Sequence, residues 1–352
     1  MHYIGVDYHK RYSYLVVKDD QGRVKQRGLV SNDKEELGEF LRPYRSGKAA
    51  LEATRNWGLI YDWLEEMLDE VVLAHPLKTR AIAEAKIKTD KISADILADL
   101  LRADLLPRAY VPDKYTREAK NILRQRMFFV RLQTMVKNRI HTILDRHPEV
   151  KSGAPDVSDR FGATGMKWLK QLVLTGEDNK LLPSELDLLE VLKRKISESD
   201  NWIKELAKRD VRVKLLVDIP GIGPFFSVLI VYEIDDISRF TDEKKLCSYA
   251  GLVPSTYASG GKIFHGRITK QGNKWLRWAF IEAVQNAIRG DTELYAYHER
   301  IRLRKNGNAA TVATARRLLT IVYRVLSQHR PYRRNARRAR QNLIPAALSL
   351  SS

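Results

Sequence analysis

The sequence predicts a mixed α/β domain followed by a mostly helical remainder. Three observations carry that expectation. Up to Pro112, short β-branched or aromatic runs alternate with amphipathic segments. Beyond it, apolar residues recur at spacings of three, four and seven over 116–146 and 185–208, as in long helices. The chain of 352 residues is 44% hydrophobic, enough for two or three domains with adequate cores.

His2 to Tyr8 and Tyr12 to Lys18 read as strands joined by a short turn, and the hairpin signal Asp19-Asp20-Gln21-Gly22 leads into a third, Arg23 to Val30. Ser31-Asn32-Asp33 caps a helix to about Leu41. Gly47 to Ala53 is a short strand opening into a helix through Trp57, Leu59, Trp63 and Leu64, and Val71 to Ala74 is a fifth strand. Pro76 to Ala85 reads as helix, and a last helix places Ile92, Ile96, Leu100 and Leu101 on one face. Three antiparallel strands, then alternating helix and strand, is the element order of a ribonuclease-H-like fold.

A right-handed crossover sets the strand carrying Glu52 beside the first strand, which carries Asp7. Both acids then stand at strand ends, where open α/β sheets hold their ligands. Asp7 interrupts an apolar strand and Glu52 follows Ala49-Ala50-Leu51, so neither is a charge chosen for packing. Asp90 begins the helix expected against the sheet, and three carboxylates converging there can hold divalent metal ions. Each acid alone has an ordinary reading: Asp7 or Glu52 as a strand end meeting solvent, Asp90 as a helix N-cap.

Thr116 to Arg146 carries Ile122, Phe129, Val136 and Ile143 at sevens. Glu185 to Lys208 carries Leu189, Leu192, Ile196, Ser199, Ile203 and Leu206 as a coiled-coil seam with one polar interruption. Pro148 to Gly165 between them reads as a loop, and Met127, Phe128 and Phe129 as core or dimer contact. Asp218 to Pro224 has the pattern of a helix-hairpin-helix, whose glycine amides, here Gly221 and Gly223, bind phosphate without reading sequence; a tight turn between packed helices fits equally. The expected divisions are 1–112, 113–214, 215–330 and a basic tail, 331–352.

Within Tyr249 to Phe280 a Ser259-Gly260-Gly261 turn precedes Lys262, Arg267, Lys270, Lys274 and Arg277, so a small hydroxyl lies within reach of many cations. The glycines allow close backbone approach and an anion-binding concavity. A surface hairpin with a solvated basic flank is the plainer reading. Lysine and arginine number 62 against 43 aspartates and glutamates, a formal net charge of +19 that points to a nucleic-acid partner. Arg300, Arg302, Arg304, Arg316 and Arg317 and the tail arginines 333, 334, 337, 338 and 340 extend that footprint. No apolar run approaches the ~18 residues of a spanning helix, and Met1 opens directly into a strand pattern. One cysteine, Cys247, excludes an internal disulfide and a cysteine-built zinc site, and the eight histidines show no metal-ligand spacing. A cytoplasmic, nucleoid-associated protein without membrane contact is expected.

G-V-D-Y-H-K at 5–10, L-E-A-T at 51–54, K-T-D-K-I-S-A at 88–94, I-P-G-I-G-P at 219–224, G-L-V-P-S-T-Y-A-S-G-G-K and G-R-I-T-K-Q-G-N-K-W-L-R-W-A together resemble the IS-one-ten family of insertion-sequence transposases. The resemblance spans nearly the whole chain. It implies a RuvC-like domain with an Asp-Glu-Asp-Asp site, a C-terminal transposase domain with a catalytic serine, and guidance by a bridge RNA that pairs with donor and target DNA. By position, Asp7, Glu52 and Asp90 match the first three acids. Ser93 stands where the fourth is usually aspartate; Asp95 is the nearby substitute, about 140° round a regular helix from Asp90. Ser259 matches the nucleophile, with Ser255 and then Tyr257 as fallbacks. In the family, serine and acids meet across subunits, so a dimer, or a tetramer in the synaptic complex, is implied.

The implied mechanism has Mg2+ (or Mn2+) on Asp7, Glu52, Asp90 and Asp95 and a transient serine–DNA link at Ser259, with Lys262, Arg267 and Lys270 steadying the phosphate. Two rivals stay open. One is a metal-dependent nuclease or Holliday-junction resolvase using water; the other is a non-catalytic RNA- and DNA-binding protein.

Overall fold

Strands β1 (Tyr3–Tyr8), β2 (Tyr12–Lys18) and β3 (Val24–Ser31) form an antiparallel meander in a computed structural model of the chain. It describes residues 1–54, 56–83, 89–259 and 262–333, without the side chains of 151, 256–259, 262, 263 and 265. Contacts divide the chain into two units, Met1–Pro112 and Asp113–Ser352. After the meander, Asp33 caps α1 (Lys34–Leu41) by accepting from the Glu35 and Glu36 amides. Strand β4 (Lys48–Glu52) returns parallel to β1, and α2 (Trp57–Met67) leads to β5 (Glu70–Ala74), parallel to β4. The strand order β3-β2-β1-β4-β5 is the expected ribonuclease-H-like sheet.

The period of two along the strands sorts side chains between two cores. Ile4, Val6, Ala49 and Leu51 pack with Leu37, Leu41, Ile60 and Leu64 of α1 and α2. Ala50, Val72 and Ala74 pack with Leu97, Leu100 and Leu101 of α4 (Asp90–Arg102), which follows α3 (Pro76–Ile82). Residue 85, the expected end of the helix from Pro76, lies outside the described residues. The buried face of α4 is Ala94, Leu97, Ala98, Leu100 and Leu101, with Ile92 and Ile96 at its edge rather than its centre. The reason is close approach: a Cβ on Gly5 would fall on the Ala94 carbonyl, so a glycine meets an alanine face where α4 crosses β1.

In the second unit α5 (Lys114–Asp145) begins at the Asp113 cap, which accepts from the Thr116 amide. A 3-10 turn at Pro148–Gly153 follows, then α6 (Ala163–Gln171), so the expected loop to Gly165 ends in helix. Helix α7 (Asp178–Arg209) starts about two turns before the expected Glu185 despite Pro183 inside it. Leu182, Leu186, Leu189 and Leu192 share one core with Val136, Ile140, Ile143 and Leu144, while Ile203 and Leu206 share another with Ala119, Leu123 and Met127. The two long helices are thus antiparallel, and the coiled-coil seam is filled within the chain. That seam does not itself argue for a dimer. Ile122 and Phe129 lie at the stripe's rim and Phe128 is exposed, because the buried stripe follows the helical period rather than sevens. Ile196 likewise lies outside the buried seam, and the Ser199 hydroxyl is satisfied by the Lys195 carbonyl.

Short α8 (Val211–Leu216) enters the glycine hairpin and α9 (Pro224–Ile234) leaves it. From Ser227 to Ile234 every residue of α9 is buried, as expected of a helix apolar all round. Helix α10 (Glu243–Tyr249), the hairpin β6 (Pro254–Ser259) and β7 (Lys262–Ile268), and helices α11 (Lys274–Gly290), α12 (Thr292–Arg304) and α13 (Gly307–Gln328) complete the unit. Among the described residues no helix is long and apolar enough to cross a membrane.

Candidate catalytic site

The contact at Gly5 positions the first acids. Two residues along β1 from Gly5 is Asp7, ~6.6 Å on; one turn back along α4 from Ala94 is Asp90, ~6 Å away in the same sense. The crossing therefore delivers a strand carboxylate and a helix carboxylate to one end of the sheet. Thr89, not Asp90, caps α4, its hydroxyl accepting from the Ile92 amide, so the Asp90 carboxylate is not spent on the cap.

Between the two acids stands His9, which sequence spacing did not single out. Its Nε2 lies 3.2 Å from Asp90 Oδ1 and 3.5 Å from Asp7 Oδ2. The atom is buried yet meets neither oxygen at hydrogen-bond geometry. The turn carrying it is fixed: the His9 amide donates to the Tyr12 carbonyl, and Asn32 Nδ2 donates to the His9 carbonyl at 2.6 Å. The Tyr12 ring stacks on the imidazole at 5.0 Å, and its hydroxyl donates to Asp90 Oδ2 at 3.2 Å. That bond, with the nearby charges of Asp90 and Asp7, raises the Tyr12 phenol above its usual range. One ligand atom from each of Asp7, His9 and Asp90 lies within 4.8 Å of the others, a nitrogen and two carboxylate oxygens sharing one opening. Such a donor set fits a divalent cation. The only signal in the sequence was the polar run after the GVD strand.

Glu52 ends β4 one residue beyond the paired Leu51, as Asp7 stands beyond its partner Val6. Its side chain lines a cavity of about 440 Å³ together with Arg80, Ile92 and Ser93. The Glu52 position and the Ser93 position therefore face one space. Asp95 points elsewhere: its carboxylate is 2.9 Å from Lys18 Nζ, which also donates to Asp99 at 2.7 Å. With Asp90 already inside the first turn of α4, the ~140° separation holds and Asp95 does not join the cluster.

In the second unit Ser259 ends β6 opposite Lys262. Gly260 and Gly261, and the side chains of Tyr257, Ser259 and Lys262, lie outside the described residues. The Ser255 hydroxyl donates to the Arg267 carbonyl at 3.1 Å and fills the space over Gly266, which ties it to the hairpin's own backbone. Arg267 and Lys270 are exposed, and exposed Lys274 lies 4.8 Å from the Trp275 ring. Arg277 instead donates to the Ala250 carbonyl at 3.1 Å, serving the end of α10. Gly221, at φ +83°, packs where a Cβ would strike the Ala283 carbonyl of α11, whereas the space beside Gly223 at the start of α9 is open. Of the two glycines only Gly223 presents open space to a phosphate.

A buried polar network anchors the foot of this hairpin. Glu233, 1% exposed on apolar α9, receives Arg124 Nη2 of α5 at 2.9 Å and Asn273 Nδ2 at 2.8 Å. Asn273 Oδ1 in turn caps α11, accepting from the Trp275 and Leu276 amides. Burial pushes the neighbouring Lys120 amine down, with Glu233 opposing the shift. The single charge inside the run Val228 to Ile234 was the legible sign of this network.

A family profile described as "Transposase IS116/IS110/IS902 family" matches residues 213–299, and a DEDD transposase profile of the IS110 type matches residues 4–148. The chain is similar to a "Probable family 20 transposase" of Pseudomonas aeruginosa, 24% identical over 85% of this chain and 89% of that protein. It is 23% identical to the "Transposase for insertion sequence element IS1328" of Yersinia enterocolitica over 80% of this chain and 82% of that protein. It is also 34% identical to the "Pilin gene-inverting protein" of Moraxella lacunata, over 39% of this chain and 45% of that protein.

Proposed function

Because this chain belongs to the IS116/IS110/IS902 family of transposases and carries its DEDD catalytic domain, we propose that it recombines insertion-sequence DNA through a serine–DNA intermediate at Ser259. A bridge RNA selects donor and target, and Asp7, Asp90 and His9, with Glu52 beside them, hold a divalent cation. The observation that carries this reading is the convergence of Asp7, His9 and Asp90 within 4.8 Å.

When bound, the cation supplies positive charge to a phosphodiester as negative charge builds on it. The protein's own groups do the rest. Asp7 and Asp90 provide carboxylate oxygens and His9 a ring nitrogen, while Tyr12 orients the Asp90 carboxylate through its hydroxyl. Imidazole among the donors favours Mn2+ over Mg2+ relative to an all-oxygen site. At Ser259 the Oγ–H bond is exchanged for an Oγ–P bond, one P–O bond of the strand breaks, and the proton leaves with the freed sugar hydroxyl. Rejoining reverses the exchange, so no water is consumed. Exposed Arg267 and Lys270 neutralise the phosphate.

The test is strand cleavage on donor and target DNA, with and without co-purified RNA, across Mg2+ and Mn2+ concentrations. Asp90→Asn should abolish cleavage, and His9→Ala should raise the Mn2+ concentration needed more than the Mg2+ concentration. Unchanged metal dependence in both variants refutes the site.

A further inference from the structure

Helices α12 and α13 and the residues just after them enclose a cavity of about 890 Å³. Its described lining includes Arg316, Arg317, Arg324 and Arg333. Arg316, Thr320 and Arg324 are spaced by four along α13, so they form one row on that wall. Arg333 joins the lining from the chain beyond α13. The chain past α13 is tied back by Tyr332, whose hydroxyl donates to Asp291 Oδ2 at 2.8 Å, and the next residue, Arg333, lines the cavity.

Four cations facing one space repel each other unless an anion joins them. The two acids in the lining, Asp291 and Glu293, do not fill that role. Asp291 spends Oδ1 on the cap of α12, accepting from the Glu293 and Leu294 amides at 2.9 Å, and Oδ2 on Tyr332, and the Glu293 carboxylate makes no ion pair with any of the four. Among the described residues no carboxylate lies within ion-pair distance of any of the four arginines, although other arginines nearby are paired, as Arg302 is with Glu299 at 2.7 Å. The cavity's cations are also held in place: Arg317 stacks at 4.8 Å from the Tyr297 ring, and Arg316 neighbours the buried Cys247 thiol. Planar, preoriented guanidinium groups match phosphate oxygens in a way that mobile lysines do not.

We infer that this cavity is a second phosphodiester-binding site, separate in sequence from the carboxylate cluster and the serine hairpin, that grips the sugar-phosphate backbone of a nucleic-acid strand. The inference rests on the reading that the protein acts on nucleic acid. The strand is DNA or RNA; the phosphate is common to both.

Fluorescence anisotropy of the full chain with labelled single-stranded DNA, single-stranded RNA and duplex DNA, each across a salt series, tests it. Arg317→Gln/Arg324→Gln removes two exposed cavity cations without touching the core. The log-affinity against log-salt slope should flatten by about 1.4 on a single strand or about 1.8 on a duplex, from about 0.7 or 0.9 per lost contact. The probe that shows this identifies the strand. Arg139→Gln/Arg302→Gln removes the same charge from positions already paired with Glu185 and Glu299 and should leave the slope near wild type. A slope unchanged on all three probes, or an equal loss in the control, overturns the cavity site. A wild-type protein that binds none of the probes overturns the functional reading beneath it.

Discussion

Arg124→Ala should destabilise the protein more than Glu233→Gln, although Glu233 is the buried partner. The Glu233 side chain is 1% exposed and that of Arg124 is 41% exposed. Truncating Arg124 leaves a carboxylate inside α9 with Asn273 as its hydrogen-bond donor and with Lys120, whose charged form burial disfavours, as its neighbouring cation; a buried charge that loses its ion-pair partner costs about 3–5 kcal/mol. Glu233→Gln removes the charge, keeps an amide oxygen for Asn273, leaves a guanidinium that can turn to water, and leaves the buried Lys120 amine, already pushed down by burial, to shed its proton. That loss is about 1–2 kcal/mol, the scale of a hydrogen bond rather than of a buried ion. With a urea slope of about 2 kcal/mol per molar, the unfolding midpoint should drop by about 1.5–2.5 M for Arg124→Ala and by under about 1 M for Glu233→Gln. Urea denaturation followed by far-UV circular dichroism measures both. Equal shifts, or the reverse order, refute the claim that Glu233 is held charged by Arg124.

Asp95→Asn should leave the metal dependence of cleavage unchanged, since Asp95 is engaged by Lys18 and Lys18 keeps Asp99; Ser93→Asp should tighten it, because that position faces the same cavity as Glu52. A metal titration of cleavage for each variant checks the pair. The His147–Asp178 pair sets a pH window. Asp178, with Glu149, raises His147 above its usual 6.5, so that contribution is complete below 6.5 and is lost as pH rises through the raised value. Arg146 and His147 hold Asp178 down to about 2 from 3.8, so its contribution is present above 3.8 and is lost as pH falls through about 2. Between about pH 6 and about pH 9 the wild-type Tm should fall more than that of His147→Gln, and parallel curves would contradict the pairing. Gly221→Ala should cost about 3 kcal/mol or more, since φ is +83° and the new methyl meets the α11 backbone; a Tm within a degree or two of wild type would refute the close contact.

Much of the N-terminal unit was legible because period-two runs, turn dipeptides and the Asp33 cap are local signals. The adjacency of the strands that carry Asp7 and Glu52 followed from crossover handedness. What stayed hidden depends on contacts distant in sequence. His9 matters because a turn pinned by Asn32 meets a helix start eighty residues on, and no spacing rule connects them. Lys18 claims Asp95 from the end of β2. The seam along α7 was visible as a pattern, but its partner was not: a heptad does not say whether its complement lies in a second chain or in α5. Likewise the basic run after Ser259 looked uniform, yet Arg277 serves the α10 carbonyls while Arg267, Lys270 and Lys274 stay exposed.

Incubating wild-type protein with RNA and end-labelled DNA, quenching in denaturant and mapping the attached residue by mass spectrometry tests the serine chemistry most directly. A DNA adduct on the peptide carrying Ser259, absent in Ser259→Ala while nucleic-acid binding persists, is the predicted result. Cleavage that proceeds without any adduct, or at wild-type rate in Ser259→Ala, would contradict it and assign the attack to water.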